Sequence, residues 1–165
     1  MALVHEQLYK NGNGGDLGFS IYAKKLANEL WEACKDDSSH VQLRFDLEPV
    51  QLDANRAVPC GLILNELLIN ALKHAFPNQQ KGEILFALRC DTKNQIELRV
   101  ADDGVGFPEG LNWERTNSLG LQMVNVLARQ IGASLKCEAG AGVDFRLSFQ
   151  REEGKPAGSV SGYAA

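Results

Sequence analysis

The stretch Gly61–Phe76, GLILNELLINALKHAF, decides how the rest of the chain is read. Its apolar residues follow a helical period and cover nearly the whole circumference, the mark of a buried helix. At ~100° per residue, with Glu66 as origin, Asn70 falls at ~40°, Lys73 at ~-20° and His74 at ~80°. Glu66, Asn70 and Lys73 thus share a stripe about 60° wide, with His74 at its edge. Leu62, Ile63, Leu67, Leu68, Ile69, Ala71 and Leu72 make up most of the remainder. Carboxylate, amide and ammonium groups are costly to bury without partners. The stripe is therefore either the solvated side of the helix, with Glu66 and Lys73 loosely paired, or the wall of a site for a metal-bound polyphosphate. In the second case the Asn70 amide oxygen suits Mg²⁺, which takes hard oxygen ligands and keeps several waters. Glu66, one turn earlier, holds one of those waters or polarises an attacking group. Lys73, one turn later, offsets phosphate charge. A lone histidine such as His74 is more often a packing or hydrogen-bonding residue than a ligand.

The helix is expected to run from Asn55, as N-cap, to Phe76, before Pro77. Downstream, the strand QIELRVA (95–101) leads into Asp102-Asp103-Gly104-Val105-Gly106-Phe107-Pro108. A carboxylate at a strand end, followed by alternate glycines, suits close approach to a flat ligand, with Asp102 accepting from an exocyclic amine. The same residues also make an ordinary turn. Thr116–Leu121 (TNSLGL) puts Gly120 at the opening of the next helix, where free backbone N–H groups can bind phosphate; plain capping by Asn117 or Ser118 is the alternative. Neither a P-loop nor a Rossmann glycine pattern is present.

In order and wording these elements resemble the ATPase superfamily shared by sensor histidine kinases, DNA gyrase, MutL-type repair proteins and a major chaperone. NELLINALKHAF is similar to its N box, DDGVGFP to its first glycine box and SLGL to its second. The N-box wording, the short lid (Phe107 to Asn117) and the single-glycine second box look most like the histidine-kinase branch. Within that branch they resemble kinases whose dimerisation segment is of the second type, and ALVHEQLY (2–9) resembles the end of that segment's second helix. The resemblance implies a two-layer α/β sandwich of the Bergerat type, a mixed sheet covered on one face by about three helices. It implies that Asn70 binds Mg²⁺, that Glu66 is the catalytic carboxylate beside it and that Lys73 contacts phosphate. Asp102 would bind the adenine amine of ATP; Gly104, Gly106 and Gly120 would let backbone approach the nucleotide; His74, Ser118 and Leu119 complete the implied contacts. In the lid, Arg115 could reach a phosphate and Trp113 could cover the base, or both could be solvated charge and lid packing. One departure is Gly142-Val143-Asp144-Phe145, where the family's last strand usually begins Gly-Thr-x-Phe, so a supporting hydroxyl is missing.

Outward from these motifs, Phe19–Cys34 is expected to be a helix carrying Ile21, Leu26, Leu30 and Ala33 on its apolar face. Strands are expected over Val41–Leu47, Val50–Asp53, Gly82–Cys90, Gln95–Ala101, Ser134–Glu138 and Val143–Gln150, with a helix over Leu119–Ile131. Residues 1–36 are expected to hold the remnant of a dimerisation helix and a linking helix packed on the domain, 37–150 the ATP-binding domain, and 151–165 a disordered tail. With 44% hydrophobic and 23% charged residues and a formal net charge of -4, nothing suggests nucleic acid or anionic lipid as partner. No apolar run approaches the ~20 residues that span a bilayer, and no signal peptide is evident; a cytoplasmic location is the default. Cys34, Cys60, Cys90 and Cys137 are too far apart in sequence for an obvious zinc or disulfide framework and read as structural thiols.

The expected function is that of a kinase catalytic domain that binds Mg-ATP and, in its parent protein, passes the γ-phosphoryl group to a histidine on a dimerisation domain, with a response regulator downstream. That histidine is expected upstream of this sequence; His5 is not assigned the role. A serine kinase controlling a sigma factor and a non-catalytic nucleotide-binding sensor module are the alternatives, with gyrase-like hydrolysis behind them.

Overall fold

A computed structural model describes residues 17–35 and 40–151. In chain order these form β1 (Leu17–Gly18), α1 (Phe19–Cys34), β2 (Val41–Leu47), β3 (Gln51–Leu52), α2 (Ala54–Asn70), β4 (Gly82–Cys90), β5 (Gln95–Asp102), α3 (Leu119–Gln130), β6 (Ser134–Gly140) and β7 (Gly142–Gln150). Five strands make one sheet in the order β2-β4-β5-β7-β6. β2 runs parallel to β4, joined by a crossover that contains α2, and the remaining pairs are antiparallel. β1 and β3 form a separate two-stranded ribbon. The three α-helices contribute to a single core against one face of the mixed sheet, as the resemblance implied.

Strand alternation decides which side chains enter that core. Ile84, Phe86 and Leu88 of β4, Ile96, Leu98 and Val100 of β5, and Phe145, Leu147 and Phe149 of β7 are all buried. The residues between them in β5 and β7 include Arg99, Asp144 and Arg146, which form an ion-pair cluster. Asp144 accepts from Arg99 Nε at 2.9 Å, from Arg99 Nη2 at 2.8 Å and from Arg146 Nη2 at 2.8 Å.

Three local readings are corrected. The N-cap of α2 is Asp53, whose carboxylate accepts from the Asn55 amide at 2.9 Å, so Asn55 already lies inside the first turn. A carboxylate at this point also faces the positive end of the helix dipole. The helix does not stay α-helical to Phe76 either, because Ala71–Ala75 form a π-helical turn and Pro77–Gln79 a 3₁₀ turn. In α1 the buried face is Phe19, Ala23, Leu26 and Ala27, while Ile21 is 80% exposed and Ala33 is exposed. Leu26 is buried and Leu30 packs against the core as expected, but the large ring of Phe19 sets the face, Ile21 lies across the helix from it, and Ala33 falls in the exposed last turn. Small Ala23 and Ala27 allow close packing, and a side chain on Gly61 of α2 would put Cβ 2.8 Å from the Tyr22 hydroxyl.

All four cysteines are free thiols. Burial pushes the Cys60 and Cys137 thiols up to about 12, so both stay protonated and pack as small apolar groups. Among the described residues no helix is long and apolar enough to cross a membrane. Residues 1–16 and 152–165, which hold the expected dimerisation-helix remnant and almost all of the expected tail, lie outside the described residues.

Candidate functional site

A cavity of about 560 Å³ opens where the C-terminal end of α2, the facing ends of β5 and β7, and the loop before α3 converge. Leu67, Asn70, Ala71, His74 and Ala75 line it from the helix side. Val100 and Asp102 of β5, with Val143 and Phe145 of β7, line it from the sheet. The loop adds Val105 to Pro108, Leu111, Thr116 and Ser118, and α3 adds Leu121. The lining is mostly apolar with a few polar groups aimed inward, the make-up of a small-molecule site.

Helical spacing decides which residues of α2 and of the π turn reach the cavity. Up to Asn70 the helix keeps its α period; beyond it the i→i+5 bonding changes the angular step. Asn70, Ala71, His74 and Ala75 share the cavity side with Leu67, at the i, i+3, i+4, i+7, i+8 spacing of one helix face, whereas Lys73 is exposed and absent from the lining. The turn also presents the Ala75 carbonyl to the first glycine loop, where it accepts from the Val105 amide at 2.9 Å. Single π turns of this kind recur at functional sites.

Asp102 is the last residue of β5, paired across the ladder with Val143. Its Oδ1 accepts from the Gly104 amide at 3.0 Å, which folds the chain back on itself. Burial pushes its carboxyl above the ordinary value; hydrogen bonds from the Gly104 and Val143 amides oppose that without cancelling it, and the neighbouring charge of Asp103 adds to it. Asp103 turns the other way, accepting from the Glu83 amide at 2.7 Å, and so secures the loop to β4. Val143, where a threonine was expected from the family pattern, supports Asp102 through its backbone amide and adds an apolar side chain to the wall.

The glycines around the cavity bring the protein close to itself. A Cβ on Gly104 would lie 2.2 Å from the Ala75 carbonyl oxygen, and one on Gly142 (φ +120°) would lie 2.1 Å from the Asp102 carbonyl oxygen. Gly106, which does line the cavity, sits at φ +76° against the Gly140 carbonyl. Gly120, in the first turn of α3, faces the Glu66 carboxylate.

Over this floor lies the segment from Phe107 to Asn117. Phe107 and Trp113 both meet Phe145 edge-on, with ring centroids 6.1 and 5.5 Å apart. The Asn112 side chain caps the short 3₁₀ turn Trp113–Arg115, and Thr116 Oγ1 accepts from the Ser118 amide at 3.2 Å. Gln122 donates to the Thr116 carbonyl at 3.0 Å, tying the segment to α3.

Of the residues singled out in the sequence, Asn70, His74, Asp102, Gly106 and Ser118 line the cavity. Glu66, Lys73, Gly104, Leu119 and Gly120 do not, and Leu119 is 82% exposed. Trp113 backs Phe145 from outside the lining, and Arg115 is exposed. Sequence reading missed Thr116 and the apolar wall. The wall's strand residues were within reach, because alternation from Asp102 gives Val100, and alternation along β7 gives Val143 and Phe145. Among the described residues no group of three or more His, Cys, Asp or Glu could hold a metal by itself.

The sequence model of the family described as Histidine kinase-, DNA gyrase B-, and HSP90-like ATPase matches residues 55–153. Blue-light-activated histidine kinase 2 of Erythrobacter litoralis is 29% identical over 121 residues, 70% of this chain and 35% of that protein. Sensor histidine kinase ComP of Bacillus subtilis is 30% identical over 137 residues, 83% of this chain and 17% of that protein. The chain thus spans about a third or less of the length of these relatives. Among solved structures, the histidine kinase domain of a blue-light-activated histidine kinase from Erythrobacter litoralis superposes with a TM-score of 0.83 at 23% identity, covering 90% of this chain and 70% of that one. Matched by the family's sequence model over more than half its length, and by this fold over nearly all of it, the chain belongs to the histidine kinase-, DNA gyrase B-, and HSP90-like ATPase family and is an ATP-binding catalytic domain of the histidine-kinase kind.

Proposed function

We propose that the cavity binds the adenine end of Mg-ATP against Asp102, and that in the parent protein the bound nucleotide supplies its γ-phosphoryl group to a histidine on a dimerisation domain, with a response regulator as the later acceptor. The observation that carries this reading is that Asp102 and Asn70 line one apolar cavity from its two sides. A carboxylate at the end of an apolar slot accepts from the exocyclic amine of adenine, while Val100, Val143 and Phe145 offer the flat base an apolar wall. Asn70 and His74 stand on the helix side of the same space, with Ser118 and Thr116 at the loop that leads into α3; these four are the candidates for the ribose and phosphate groups. Lys73 is exposed one turn beyond Asn70, from where its flexible ammonium can offset phosphate charge.

The donor set suits magnesium. Asn70 and Glu66 offer hard oxygen atoms one helical turn apart, and Mg²⁺ draws its other ligands from water and substrate phosphates rather than from an all-protein cage. Asn70 would hold the ion directly and Glu66 through a water; the ion, when bound, neutralises phosphate charge. The chain's own contribution is positioning and charge stabilisation. Where the whole protein acts in the cell is proposed as the cytoplasm, where ATP is supplied.

Calorimetric titration with ADP and Mg²⁺, native chain beside Asp102→Asn, tests the reading. The native chain should bind, and the variant should lose about 10- to 100-fold in affinity, the worth of one hydrogen bond to a charged group. Equal affinity in two equally folded chains would sink it.

A further inference from the structure

We propose that Gly120 is a positioning residue for the Glu66 carboxylate, and that its lack of a side chain serves the metal end of the site and not backbone approach to the nucleotide. The inference rests on the reading of the cavity as a Mg-nucleotide site. Glycine is a poor choice in a helix, because it costs conformational entropy that alanine does not. Gly120 is the second residue of α3 and has no positive φ that would require it. What sets it apart is the space it leaves. A Cβ built there would lie 2.5 Å from Glu66 Oε2 and 3.5 Å from the Glu66 carboxyl carbon, with Ser118 Oγ next at 3.9 Å. Gly104, Gly106 and Gly142 instead meet backbone oxygens, which cannot step aside, whereas a carboxylate at the end of a flexible side chain can.

The Glu66 carboxylate is constrained from its other side too. Asn65, 4% exposed, is a buried polar side chain among the leucines and isoleucines of this part of α2, and its amide donates to Glu66 Oε1 at 3.4 Å. One oxygen is thus tethered by a buried amide and the other occupies the space that Gly120 leaves open. A methyl group at position 120 would push the carboxylate off this place without touching the core. The two motifs that flank the site, one on α2 and one on α3, are therefore coupled through a single side chain.

This coupling separates two roles that a glycine at the mouth of a site could have. If Gly120 serves the nucleotide backbone approach, Gly120→Ala weakens ADP binding with or without metal. If it positions Glu66, the loss is confined to the metal-linked part. ADP affinity is measured with Mg²⁺ and with EDTA for the native chain, Gly120→Ala, Glu66→Asp and the double variant, together with thermal midpoints. Gly120→Ala should keep the native affinity in EDTA and a midpoint no lower than native, and should lose about tenfold of the Mg²⁺-linked gain, as expected when a group that orients a metal ligand is disturbed. On the Glu66→Asp background, where the shorter side chain leaves room, the alanine should cost nothing further. Equal loss with and without Mg²⁺, a lowered midpoint or full additivity in the double variant would overturn the proposal. So would a native chain whose ADP affinity ignores Mg²⁺, while absence of ADP binding in the native chain would overturn the nucleotide reading beneath it.

Discussion

Asp102 and Asp144 belong to the same two paired strands, one rung apart in the ladder, and point to opposite faces of the sheet. Asp144 faces two arginines. Burial alone would raise its carboxyl, but hydrogen bonds and charge from Arg99 and Arg146 outweigh that and hold it below the ordinary value. Asp102 faces an apolar cavity, receives only two backbone amides, and is left above the ordinary value by burial. The same side chain in the same local structure is thus answered by the protein on one face and only partly answered on the other. A carboxylate kept in an apolar slot without a cationic partner opposes folding, and such unmatched groups cluster where a ligand completes the match. The pair shows how to separate a structural acid from a binding one by its partners, when sequence offers only Asp in both places.

The most damaging way to break this comparison is to force the two strands apart where they carry Asp102. Gly142→Ala places a Cβ against the Asp102 carbonyl at a positive φ and should cost about 3 kcal/mol of stability in denaturant unfolding, in the range of strained backbone substitutions. Next in size is the exchange of functional effects. Asp144→Asn should leave ADP affinity at the native value, whereas Asp102→Asn removes about 1.4–2.7 kcal/mol of binding. Asp144→Asn should instead lower stability by about 1 kcal/mol, discounted because Arg99 and Arg146 are 33% and 39% exposed. A loss of ADP binding in Asp144→Asn would show that the two faces are not independent.

The smallest effect is also the sharpest, because its sign differs between the two residues. The Asp144 carboxyl is lowered in the folded state, so its contribution is full above the unfolded-state value and is lost as pH falls through the folded one. Asp102 is raised, so its ionisation disfavours folding as pH rises from the unfolded-state value to the folded one, and acid relieves the cost. In urea unfolding across the acid range, the stability of the native chain relative to Asp144→Asn should fall with decreasing pH. Relative to Asp102→Asn it should rise.

Much of this was legible in the sequence because the elements that matter are long and periodic. α2, β4, β5, α3 and β7 follow long hydrophobic patterns, and their bounds were readable within a residue or two, except at the C-terminal end of α2, where the π turn takes over at Ala71. The motif order gave Asp102 and Asn70 for the same reason. What pattern could not supply was local phase and spacing in three dimensions. A wheel drawn at a constant ~100° step grouped Lys73 and Glu66 with Asn70, but the cavity lies on the side of Leu67, Ala71 and His74, and of that stripe only Asn70 reaches it. Pattern also gave no sign that a Cβ on Gly104 or Gly120 would meet the Ala75 carbonyl or the Glu66 carboxylate, contacts between segments far apart in the chain. Alternation could have placed Val143 and Phe145 on the Asp102 face, but on the helix Leu67 looks like any other core residue until the cavity is seen.

The central claim is that Asp102 makes this cavity an adenine site. The direct measurement is a comparison of ADP and GDP binding to the native chain by calorimetry under identical Mg²⁺ conditions. At the position where adenine presents an amine donor, guanine presents an oxygen acceptor, which would face the Asp102 carboxylate. The account predicts that ADP binds at least about 100-fold more tightly than GDP, as expected when a site built for a donor meets an acceptor. Equal affinities for the two nucleotides would contradict it.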